Sequence, residues 1–233
     1  MQFTRTFIPA IIILTTIIAL ITYKKYRHTP NRYFLYLLLA TIITELIGSF
    51  IVYCYYYPQS GTTIFAKSIF PDRLFERNSW IYNIFRILTF YFYLFFFKEL
   101  VKRKKHQTII YLLFIVYSFL VVLDLWLNKT DFFTRNLMII RISGTIAILI
   151  ATILYFTEVF NSNKILKIYK ELSFWLVAGS LFYYLLTIPI MMFTKIFYNY
   201  QGIYLSILLF SNFILYGSFI TGFIINAREI KHG

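Results

Sequence analysis

Four charged side chains interrupt long apolar runs: Glu45 in "TIITELIGSF", Arg86 in "WIYNIFRILTF", Asp124 in "VVLDLWL" and Arg141 in "NLMIIRISGT". In a water-poor setting, such groups hold an oppositely charged ligand, exchange protons, or tie helices together. Each option needs a partner, because an isolated charge at the centre of a bilayer costs several kcal/mol. Glu45–Arg86 and Asp124–Arg141 are the natural pairs, since an arginine stem extends about 6–7 Å along an apolar wall. Thr41, Gly48 and Ser49 share the helix face of Glu45, a small and polar face suited to helix contact. Arg141 is followed by Gly144, Thr145, Ile148 and Thr152 at helical spacing. Asn83 stands one turn before Arg86, and Ser211, Asn212, Ser218 and Thr221 add polar groups to the last run. The candidate ligand-binding residues are therefore Glu45, Asn83, Arg86, Asp124, Arg141 and Asn212.

The elements that must position these groups are membrane spans. Hydrophobic residues make up 60% of the 233 and charged residues 14%, with a mean hydropathy of +0.70. One soluble core could not bury so many apolar side chains, so the bilayer is the expected solvent. Seven runs are long enough to cross about 30 Å of hydrocarbon: Phe7–Tyr23, Phe34–Tyr57, Trp80–Phe97, Ile109–Leu127, Leu137–Phe160, Ser173–Phe193 and Ile203–Ile225. The expectation is an all-α, seven-helix bundle forming a single transmembrane domain over residues 1–233. "YKKYRHTPNRY" after the first run reads as a stop-transfer flank, so that run is expected to be retained.

Cations set the expected orientation. The segments 24–33, 98–108, 161–172 and the tail after Asn226 hold fourteen Lys and Arg; the N-terminus, 58–79, 128–136 and 194–202 hold seven. The positive-inside rule then puts the N-terminus outside and the C-terminus in the cytoplasm, in a bacterial inner membrane. Glu45 falls about 17 Å from the inner end of its span, and Arg86 about 9 Å below the outer end of its own. Asp124 and Arg141 lie about one turn from the outer ends of theirs, so all four charges share the outer half. Glu158, at the inner end of the fifth span, is expected to reach the cytoplasmic interface. The long loop 58–79 contains "FPDRLFERNSW", whose Pro-Asp start suggests a short interfacial helix or lid.

The net charge of +14 does not indicate nucleic-acid binding, because the cations form short clusters between apolar runs, as anionic lipid would attract. Cys54 is the single cysteine, and His28, His106 and His232 fall in cytoplasmic segments, so neither a disulfide nor a metal centre is expected. No nucleophile elbow, zinc-protease signature or phosphate-binding glycine loop occurs, and no cofactor is anticipated. The last span has no lysine for a retinal Schiff base.

"WIYNIFRILTFYFYLFFFKEL", "SFWLVAGSLFYY" and "SNFILYGSFI" together resemble uncharacterised seven-span bacterial integral membrane proteins. That resemblance implies a sensor-type input module rather than an enzyme. The expected function is a receptor that binds a small ligand in an outward-facing polar pocket. A cytoplasmic signalling partner, or a second copy of the chain, would carry the output. The competing readings are a proton- or ion-coupled carrier with Glu45 as titrating group, and a membrane subunit or effector of a stress or phage-defence complex.

Overall fold

The computed structural model describes residues 2–162, 165–192 and 201–229. Every regular element among them is helical. The helices are α1 (Gln2–Thr22), α2 (Tyr33–Tyr56), α3 (Gly61–Ile69), α4 (Arg73–Glu76), α5 (Ser79–Leu100), α6 (Lys104–Leu127), α7 (Met138–Phe160), α8 (Leu172–Met192) and α9 (Gln201–Glu229). Seven of them, all but α3 and α4, are long and apolar enough to cross a membrane. Their outward faces carry side chains such as Ile21, Ile43, Leu46, Phe119, Val122 and Trp126, all exposed. An apolar outer surface of this extent belongs against lipid, so the shape is that of a multi-pass membrane protein.

The span boundaries read from sequence agree with the helices to within about a turn, except that α1 begins five residues before Phe7 and α6 five residues before Ile109, taking in His106. The anticipated end of the sixth span at Phe193, and the connection to about residue 200, lie outside the described residues.

Six of the long helices close a ring. Their principal contacts run α1–α2, α2–α5, α5–α7, α7–α8, α8–α9 and back from α9 to α1. The sixth span, α6, stands outside that ring and packs on α5 and α7. Aromatic residues fill the ring near the end where α1 finishes and α2 begins. Buried Phe34 of α2 meets Phe92, Tyr93 and Phe96 of α5 and Phe219 of α9 edge to face, with centroids 5.4, 5.7, 4.8 and 5.3 Å away, respectively. Higher up, Gly144 lets α7 close on α5, because a β-carbon there would overlap the ring of Phe90.

The two ends of the bundle are built differently. At the lysine- and arginine-rich end, the Tyr26 hydroxyl donates to the Ala19 carbonyl at 2.8 Å, and burial raises its pKa, keeping it a donor. Ser173 Oγ donates to Asn31 Oδ1 at 3.0 Å, fastening the start of α8 to the start of α2. At the other end, α3 and α4 sit on the end of α2 through a small cluster of Cys54, Ala66, Phe75 and Leu74. Ser60 caps α3 by accepting the Thr63 N–H at 3.2 Å. The short helix read into 58–79 is thus present, as two helices rather than one.

Candidate functional site

The ring encloses a cavity of about 320 Å³ in the half of the bundle nearer α3 and α4. All six ring helices line it, and α6 does not. Four of the six candidate residues face it: Glu45 from α2, Arg86 from α5, Arg141 from α7 and Asn212 from α9. Its walls are aromatic, with Tyr82, Phe90, Tyr183, Tyr184 and Tyr216 around the charges.

Glu45 sits one turn before Gly48, and both residues face Tyr82 of α5. The Tyr82 hydroxyl donates to Glu45 Oε2 at 3.1 Å. Gly48 makes the approach feasible, since a β-carbon there would lie 2.7 Å from Tyr82 Oη. Among the described residues Glu45 has no other hydrogen-bond partner, so Oε1 stays available toward the cavity. The expected Glu45–Arg86 ion pair is not formed.

Arg86 is held by amides instead. Its Nη1 donates to Asn83 Oδ1 at 3.1 Å and its Nη2 to Asn136 Oδ1 at 3.5 Å. Asn83 is anchored in turn: Nδ2 donates to the carbonyls of Phe132 at 2.9 Å and Arg135 at 2.8 Å, and Oδ1 accepts the Leu137 N–H at 3.2 Å. Every polar atom of Asn83 is therefore engaged, and it is not among the cavity-lining residues. Its place is behind Arg86, orienting the guanidinium from the 128–137 connection.

Asp124 also lies away from the cavity. It is fully buried on α6, outside the ring, where Oδ2 accepts the Ile140 N–H at 2.9 Å and Oδ1 accepts from Asn128 Nδ2 at 2.6 Å. Ile140 lies in the first turn of α7, where backbone N–H groups have no partner within their own helix. Asp124 thus caps α7 from a neighbouring helix, favoured by the positive end of the helix dipole. The expected Asp124–Arg141 pair is absent, and the Arg141 guanidinium has no hydrogen-bond or ion-pair partner among the described residues.

Glu158 plays the reciprocal part at the opposite end. Its carboxylate accepts the N–H groups of Lys102 at 2.8 Å and Arg103 at 2.9 Å, and contacts His106 Nδ1 at 2.8 Å. Helices α6 and α7 therefore cap one another, and Glu158 is a cap at the start of α6 in addition to lying near the end of its own helix.

Asn212 donates Nδ2 to the Leu208 carbonyl at 2.8 Å, which leaves its amide oxygen as an acceptor on the cavity side. Hydroxyls of Thr41, Thr145 and Thr187 are back-bonded to their own helices at 2.7–2.8 Å. The cavity thus presents two arginines, one carboxylate and several amphipathic rings. Tyr82 and Tyr183 were not among the candidates from sequence; the one available signal was the position of Tyr82, one turn before Arg86.

These features define a helical, multi-pass bundle with a charged cavity between its candidate spans. Comparison with protein-family models, with curated proteins and with solved structures finds no match.

Proposed function

We propose that the chain is a seven-helix membrane receptor or sensor whose cavity binds a small anion. The observation that carries this reading is Arg141, a guanidinium facing the cavity with no ion-pair partner among the described residues, beside Arg86, whose hydrogen-bond partners among those residues are neutral amides. Half-buried cations inside an apolar bundle are costly without a counter-ion, and a carboxylate or phosphate would satisfy both in the bidentate manner arginine favours. A volume of about 320 Å³ suits a small molecule.

In this reading the basic end, with Lys102–Lys105 and Lys24–Arg27, faces the cytoplasm by the positive-inside rule. The cavity then belongs to the outer half, and occupancy is passed to the basic face through α5 and α7. Those helices connect the cavity arginines directly to the Glu158 cap at Lys102 and Arg103.

A thermal-shift screen of purified protein against anionic, cationic and neutral small molecules tests the reading. Anions should raise the melting temperature of the native chain and not of Arg141→Gln. Equal shifts by neutral compounds, or an unchanged anion response in Arg141→Gln, would contradict it.

A further inference from the structure

The cavity holds two cations and one anion that do not pair with one another. We infer that its ligand is amphoteric, carrying two negative charges and one ammonium: an aminodicarboxylate or a phosphorylated primary amine. This rests on the anion-receptor reading above and narrows it to a chemical class.

The charges themselves motivate the inference. Arg86, Arg141 and Glu45 all line the one cavity, and Tyr183 forms part of the same wall. One compact region therefore contains all three, yet no ion pair forms among them. Opposite charges left apart in a low-dielectric space are unfavourable unless something completes each of them. A simple monoanion would answer the arginines and leave Glu45 exposed to more negative charge. A dianion with an ammonium answers all three and leaves the occupied cavity neutral.

Glu45 is prepared for such a role. Tyr82 fixes one of its oxygens, and Oε1 has no partner among the described residues. It reaches the cavity from α2, with α5 between it and Arg141 on α7 in the ring. An ammonium beside it would also share the cavity with Tyr183 and Tyr216, whose rings can attract cations through their quadrupoles. The methylene stem between the charges would lie on the apolar part of the wall, near Phe90 and Ile188.

Two matched probe pairs isolate the ammonium: glutamate against glutarate, and O-phosphoethanolamine against ethyl phosphate. Binding is measured by isothermal titration calorimetry on the full chain in nanodiscs. In at least one pair the ammonium-bearing member should bind at least tenfold more tightly, and Glu45→Gln should reduce that ratio to about one. Tyr82→Phe, which keeps the carboxylate but frees it, should reduce the ratio only in part, and guards against misfolding of Glu45→Gln. If glutarate and ethyl phosphate bind as tightly as their amino counterparts, the ammonium site does not exist, while the anion reading survives. If no probe binds in an Arg141-dependent way, the anion reading falls as well.

Discussion

The Asp124 carboxylate accepts the Ile140 N–H at 2.9 Å, so the acid one would pair with Arg141 is occupied by the backbone of the arginine's own helix. Arg141 has no ion-pair partner among the described residues, and the cavity, lined by two arginines and one glutamate, carries a positive excess. The contact with Ile140 also makes Asp124 a stability residue. Asp124→Ala should lower unfolding free energy by roughly 2–3 kcal/mol, the scale for removing a charged acceptor from a buried donor. Urea unfolding in detergent would measure it, and a loss below about 0.5 kcal/mol would assign the cap no stabilising role.

Glu45 and Arg86 should be energetically independent. In a double-mutant cycle with Glu45→Gln and Arg86→Gln, the coupling is expected below about 0.5 kcal/mol, whereas Glu45→Gln with Tyr82→Phe should show about 1 kcal/mol. Coupling of 1–3 kcal/mol between Glu45 and Arg86 would show that the two charges meet after all.

Sequence made the seven helices readable because runs of about 20 apolar residues have few alternatives to spanning a bilayer. That Glu45, Arg86, Arg141 and Asn212 face the bundle interior was also legible, since polar groups within apolar spans turn away from lipid. The partners were not. Pairing by opposite charge overlooks the backbone, whose orphan N–H groups at the starts of α6 and α7 claimed Glu158 and Asp124. Nor could spacing along the chain show that α6 stands outside the ring, which removes Asp124 from the cavity. Tyr82 was hidden by composition: with 27 Phe and 21 Tyr in the chain, no single ring stood out.

Gly48 should behave as part of the site. An added β-carbon 2.7 Å from Tyr82 Oη forces the hydroxyl off Glu45. Gly48→Ala is expected to reproduce the ligand response of Tyr82→Phe, and the two together should be no worse than either alone. Full additivity in a calorimetric titration would separate Gly48 from that hydrogen bond.

Orientation is open to direct measurement. In a Cys54→Ala background, a cysteine at Ser60 should react with a membrane-impermeant maleimide in intact cells, and one at Gln107 should react only after lysis. The reverse pattern would place the cavity in the inner half and turn the receptor reading towards a cytoplasmic ligand.

The most direct measurement of anion binding is crystallographic: the anomalous signal of selenate soaked into crystals of the full chain. Selenate has the charge of a phosphate dianion and fits within about 320 Å³. An anomalous peak within hydrogen-bond distance of both the Arg86 and Arg141 guanidinium groups is the expected result, vanishing in Arg86→Gln/Arg141→Gln. Selenate found only at the surface lysines, with the cavity empty at saturating soak, would contradict the claim that these two arginines form an anion site.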